Sequence, residues 1–182
     1  MTSIENSNKL KTKLNSIWVL WYHSPDDDSW SIDSYNQICV FDTIEDFWIL
    51  HNKINPIHIQ YGMFFIMRKN IDPIWEDSKN KDGGCWSFKL SKKDTYKAWI
   101  ELGIALISET INIDNDKIMS INGISISPKK NFSILKIWNG NKNDSDNKII
   151  NNNIPHMDIS SAIYKPHISD ETESNDLIDP SN

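Results

Sequence analysis

Seven short stretches of strand character are interrupted by only two of helical period, which restricts the chain to a sheet covered on one side. The stretches are Ile17–Tyr22, Ile38–Phe41, Met63–Arg68, Cys85–Leu90, Ile118–Ser127, Ile134–Trp138 and Ile159–Tyr164. Cys85–Leu90 alternates cleanly, with Trp86, Phe88 and Leu90 sharing one face. The first helix starts behind Thr43, whose hydroxyl can cap the first turn. Asp46 stands three residues on, as an Asp version of the capping box. The second helix runs from about Lys93 to Thr110, with Tyr96, Trp99, Ile100, Ile104 and Ile107 as its main stripe. The expected fold class is therefore α+β, an antiparallel sheet with its helices on one face.

Both helices carry more apolar surface than one core face needs. In the first, Ile44 and Trp48 form one stripe while Phe47, Leu50 and Ile54 form another; the second adds Leu102, Ala105 and Leu106 beside its main stripe. Two readings stand. Either one wide arc faces the core, or a second stripe stays exposed for a partner.

Charge narrows the ligands. The formal net charge is −6, with acid concentrated at Asp26–Asp28 and in the last residues, and Arg68 is the only arginine. No basic face exists to grip a long polyanion by counterion release. A nucleic-acid ligand must then be short, or recognised by something other than bulk charge. Two cysteines, Cys39 and Cys85, match no metal spacing, and the five histidines are scattered, so neither metal nor cofactor is expected. No apolar run is long enough for a signal peptide or a membrane span, and a cytoplasmic location is expected. Residues 1–15 read as a flexible lead, 16–168 as one folded domain, and 169–182 as an acidic disordered tail. Within the domain, 139–155 is Asn-rich and forms a loop or a weak helical turn.

Eight tryptophans punctuate the chain, and most invite a core assignment. Two do not. Trp30 follows Asp26-Asp27-Asp28-Ser29, and Trp75 lies in the polar run Asp72–Gly84, just ahead of Glu76-Asp77. A loop aromatic among acids buries little unless something stacks on it.

Taken with their neighbours, these residues form a pattern that resembles the eukaryotic translation initiation factor 4E family, the mRNA cap-binding proteins. The resemblance rests on Trp18-Val19-Leu20-Trp21-Tyr22, on Phe41 through Trp48, and on Pro73 through Trp86 with its Gly83-Gly84 pair. Trp99-Ile100-Glu101 and the strand ending Ile137-Trp138 complete it. It spans residues 17 to 138 and thins beyond them.

The resemblance implies a strongly curved antiparallel sheet, with helices on the convex face and a cap pocket on the concave face. It implies that Trp30 and Trp75 stack on the 7-methylguanine base and that Glu76 accepts the two donors of its Watson–Crick edge. Trp138 would lie near the added methyl group. Methylation makes the ring cationic, so indole faces add cation–π attraction to ordinary stacking. Strand periodicity then places Lys136 and Ile134 on the face of Trp138, with Leu135 and Ile137 on the other.

The sequence departs from the family in the phosphate arm. Where three basic residues are expected, the chain has Cys85, Lys129 and Ile134. Lys136, Lys130 and Lys79 are the substitutes on offer. On the convex side, Ile44, Trp48, Ile100, Glu101 and Ile104 match the surface that receives a helical motif from an initiation factor 4G-like scaffold or a competing repressor. Thr12-Lys13 and Ser108 replace the family's His-Pro and glycine there. The family's long third helix is expected to be missing or shortened.

The expected function is a monomeric, non-enzymatic module that binds the capped mRNA 5′ end and recruits it to an initiation complex. Its nearest rival is a cap-binding repressor. A cap-acting hydrolase would need a metal-holding carboxylate cluster, for which Asp26–Asp28 is the one dense candidate. A glycan-binding aromatic sheet leaves the Trp75-Glu76 order unexplained.

Overall fold

A computed structural model describes residues 11–113 and 120–168. Residues 1–10 of the expected lead, the first two residues of the fifth expected strand, and the 169–182 tail lie outside the described residues. The strands are β1 (Lys13–His23), β2 (Tyr35–Thr43), β3 (Met63–Arg68), β4 (Gly84–Ser91), β5 (Ile121–Pro128), β6 (Phe132–Asn139) and β7 (Ile163–Pro166). They form one curved antiparallel sheet in the order β2-β1-β3-β5-β6-β4-β7. The helices are α1 (Ile44–Lys53), α2 (Pro56–Tyr61) and α3 (Thr95–Ile107).

Strand alternation divides the sheet into two faces. Trp18, Leu20, Phe64, Ile66, Trp86, Phe88, Ile124, Leu135 and Ile137 join Phe47 of α1, Ile59 of α2 and Trp99, Leu102 and Leu106 of α3 in one core. Burying each such side chain contributes roughly 1.5–3 kcal/mol. The opposite face holds a smaller cluster, among it Tyr35, Met63, Phe65, Met67, Cys85 and Trp138. Stability therefore resides mainly under the helices, which leaves the concave face free to stay open. β3 is buried on both faces, and so its sequence is a continuous apolar run.

The structure adjusts four expectations. First, β1 begins at Lys13, inside the segment read as lead. The Thr12 amide and hydroxyl donate to Glu45, and Lys13 pairs with Asp42 at 2.7 Å, which holds this end against the start of α1. Second, α2 has no counterpart in the sequence reading; Asn55 caps it, accepting from the Ile57 amide, with Pro56 in its first turn. Third, the core face of α3 centres on Ala98, Trp99, Leu102, Ala105 and Leu106, while Tyr96, Ile100 and Ile104 of the expected main stripe are half-buried at its edge. The last expected strand shifts to Ile163–Pro166, because Asp158 caps a 3-10 turn over Ile159–Ser161. The Thr43 cap is present: its hydroxyl accepts from the Asp46 amide at 3.1 Å. The same hydroxyl donates to the Asp46 carboxylate at 2.7 Å. Between Asn139 and Asn153 the regular structure is a 3-10 turn at Asn147–Ile149.

Candidate functional site

A cleft of about 820 Å³ opens on the concave face, within the roughly 300–1,000 Å³ usual for small-molecule sites. Trp30, Trp75, Glu76, Trp138, Lys129 and Lys136 all line it. They come from four parts of the chain: the β1–β2 loop, the loop after β3, the turn after β5, and β6. Trp30 and Trp75 are 54% and 48% exposed, against 6% for Trp138. Two indoles at the rim thus stand above a third in the floor. Trp138 is fixed there by its Nε1–H, which donates to Ser125 Oγ at 2.9 Å, and by the edge of Phe65.

The Trp75 loop is held from below by a buried asparagine. Asn80 Nδ2 donates to the carbonyls of Asp72 and Ile74 at 2.9 and 2.8 Å, and its Oδ1 accepts from Asn122 Nδ2. Asn122 also donates to the Lys79 carbonyl at 2.7 Å. The Asp77 carboxylate accepts from the Asp72 and Lys79 amides. Gly83 and Gly84 let the loop's end lie against β7 and Asn139, since a Cβ on Gly84 would come 2.4 Å from the Lys165 carbonyl. Trp75 and Glu76 are therefore presented by a pinned turn. Asn80→Ala strands two carbonyls and the Asn122 amide, and should cost about 2–4 kcal/mol in urea unfolding. A cost below about 1 kcal/mol would mean that solvent replaces these bonds.

Period two on β6 places Ile134, Lys136 and Trp138 toward the cleft, while Leu135 and Ile137 are fully buried under the helices. Lys79 and Lys130 do not line the cleft; both are exposed, and Lys130 lies in the turn between β5 and β6. Two other residues do line it, Lys165 and His167, from β7 and the residues after it. Cys85 pairs with both Trp138 of β6 and Lys165 of β7, and Ser87 with Lys136. Lys136 and Lys165 therefore flank the small side chains of β4 from its two sides.

The cleft's charge is set by these lysines and Glu76. Burial pushes the Cys85 thiol up to about 12, despite the nearby Lys136 charge, so no thiolate forms there. Burial, with Lys136 adding to it, lowers His167 to about 4, so its imidazole is uncharged at neutral pH where it lies 4.9 Å from the Trp138 ring. Burial, then the Glu76 charge, raises the Tyr35 hydroxyl to about 12. The arrangement offers two exposed aromatic plates, a carboxylate beside one of them, and a basic side toward β5, β6 and β7.

On the convex side, Ile44 and Trp48 of α1 are 39% and 41% exposed. Ile100, Glu101 and Ile104 of α3 are half-buried. Of the two α1 stripes, the one through Phe47 belongs to the core, and the one of Ile44 and Trp48 is exposed.

The family model described as eukaryotic initiation factor 4E matches residues 13–177. The chain is similar to eukaryotic translation initiation factor 4E1 of Drosophila melanogaster, with 35% identity over 150 residues, 79% of this chain and 56% of that protein. It thus spans little more than half the length of that relative. Among solved structures it is similar to Ascaris suum eIF4E-3 in complex with m7G cap, at 27% identity and TM-score 0.67, covering 77% of this chain and 78% of that one. It is also similar to a schistosome eIF4E complexed with m7GpppG and 4E-BP, at 26% identity and TM-score 0.67, covering 75% of this chain and 76% of that one.

Proposed function

The chain belongs to the eukaryotic initiation factor 4E family, and on that premise we propose that its concave cleft binds the 7-methylguanosine cap of mRNA for translation initiation in the cytoplasm. The observation that carries this reading is the pair of half-exposed tryptophans, Trp30 and Trp75, at the rim of one cleft with Glu76 beside the second. The two indoles take the methylated base between them. Its positive charge adds cation–π attraction of about 2 kcal/mol when desolvated to stacking of roughly 1–3 kcal/mol per base. Glu76 accepts from the two donors on the guanine edge, a charge-assisted pair that adenine cannot offer. Trp138 closes the floor near the methyl group. The protein acts as a monomer, with the fold from β1 at Lys13 through residue 168 as its binding domain, and is not an enzyme. Its convex face, through Ile44, Trp48, Ile100, Glu101 and Ile104, takes the helical motif of a scaffold or a competing repressor.

Tryptophan fluorescence quenching by 7-methyl-GTP against GTP tests the reading directly. Quenching at much lower concentration of the methylated nucleotide is expected, and equal affinity for the two would sink it.

The cap's triphosphate lies along Lys129, Lys136 and Lys165, the lysines that line the cleft. Lysine meets phosphate as a point charge rather than a fork, and exposed pairs are worth roughly 0.2–1 kcal/mol each. Lys136→Gln and Lys165→Gln should each weaken 7-methyl-GTP by about two- to fivefold and leave the uncharged-tail nucleoside, 7-methylguanosine, unaffected. Affinity should also fall as salt rises, with each of the three lysines carrying a share of that dependence. A steep salt dependence abolished by Lys129→Gln would contradict this distribution.

A further inference from the structure

Trp30 is half exposed, yet one of its neighbours already lies parallel to it. The His23 ring is stacked on the indole, with centroids 4.7 Å apart and planes 6° from parallel. His23 is the last residue of β1, fully buried, and also touches Tyr35, whose ring is 4.6 Å away and tilted by 52°. Its Nε2 lies 2.8 Å from the Ser29 carbonyl oxygen. A carbonyl only accepts, so Nε2 carries the hydrogen and donates it. Ser29 immediately precedes Trp30.

The residue type is informative. Nδ1 of His23 is buried with no hydrogen-bond partner among the described residues, a cost that a phenyl ring in the same slot would not carry. A phenyl ring would stack as well, but it could not hold Ser29. What the imidazole adds is the bond to the loop. That bond is part of a small clamp: the Ser29 carbonyl also accepts from Ser34 Oγ at 2.9 Å, and the Ser29 amide donates to Asp27 Oδ1 at 2.9 Å.

We propose that His23 is a positioning residue for the base clamp. Its ring backs one face of Trp30 and its Nε2–H fixes the preceding peptide, so the indole is set toward the cleft before a ligand arrives. The inference rests on the cap-binding reading of that cleft. Its physical content is preorganisation: the rotamer and loop freedom of Trp30 are spent on folding, and not on binding.

The test is a double-mutant cycle in the full chain. His23→Ala, His23→Phe, Trp30→Ala and the His23→Ala/Trp30→Ala pair are compared for 7-methyl-GTP affinity by calorimetry, alongside ligand-free tryptophan emission and thermal melting. His23→Ala should weaken 7-methyl-GTP by about five- to tenfold, and add almost nothing once Trp30 is gone. Ligand-free emission should change in His23→Ala, because Trp30 loses the ring stacked on it, and should not change in the Trp30→Ala background. His23→Phe keeps the stack without the bond, and should recover only part of the lost affinity. An equal loss with and without Trp30, or wild-type affinity in His23→Phe, would overturn the proposal. If wild type fails to bind 7-methyl-GTP while the emission change persists, the cap reading fails and the His23–Trp30 contact stands.

Discussion

Trp75→Ala should lower affinity for 7-methyl-GTP by about 3 kcal/mol, roughly a hundredfold, with no change in fold. The size follows from what one indole plate supplies: a share of base stacking, plus the cation–π attraction that only the methylated ring offers. Structural cost is small because the side chain is 48% exposed and belongs to a loop pinned by Asn80 and Asp77 rather than by Trp75 itself. Surface changes of this kind usually stay within about 0.5 kcal/mol of wild-type stability. GTP should lose less, since it forfeits stacking and no charge term, so the ratio of methylated to unmethylated affinity narrows. Calorimetric titration of both nucleotides against both proteins measures this. A ratio unchanged by the substitution would remove Trp75 from methyl-group discrimination and leave it as a nonspecific stacking surface. Trp75 is the better probe of the two plates, because Trp30 is entangled with His23 and the Ser29 clamp.

Much of this site was legible in the residues, and the reasons are local. Trp30 and Trp75 stand among acids on loops, and that context already separated them from Trp18, Trp86 and Trp99, all fully buried. The α1 cap was readable because Thr43 and Asp46 act on one another across a single turn. On β6, period two sorted Lys136 and Trp138 from Leu135 and Ile137 without any tertiary information. The failures are non-local. Lys165 and His167 reach the cleft only because β7 pairs with β4 across about eighty residues of chain, where the sequence pattern had already thinned. Conversely, Lys79 and Lys130 are near the right residues in sequence and outside the cleft lining in space. α2 is too short for a period; Asn55 followed by Pro56 was its one signal. The face of α3 was ambiguous because apolar residues cover more than half its circumference, and only the position of the sheet decides which of them are core.

Trp48→Ala should weaken binding of a helical scaffold peptide about thirtyfold or more while leaving 7-methyl-GTP affinity where it was. Trp48 is 41% exposed beside Ile44 on α1, and its ring meets the edge of the buried Phe47 at 5.4 Å. A tryptophan in that position can anchor an amphipathic helix, and truncating such an anchor costs about 2 kcal/mol or more, roughly thirtyfold. Phe47, one residue earlier, offers the contrast: as a fully buried core residue its truncation should cost about 3–5 kcal/mol of stability instead. Pull-down with a synthetic helical peptide, paired with nucleotide titration and a melting curve, separates the cases. Joint loss of peptide and nucleotide binding would mean that Trp48 holds α1 to the sheet and is no docking residue. The two surfaces lie on opposite faces of one sheet, so any influence of one on the other must pass through its packing. By linkage, a peptide that raises cap affinity by some factor must itself be bound more tightly by the same factor when cap is present. Because the Trp75 loop is pinned and Trp138 is locked to Ser125, little is left on the concave face for a convex partner to rearrange. The expected coupling factor is therefore close to one, except through the β1–β2 segment, where the Trp30 loop and the strand leading into α1 are continuous in the chain.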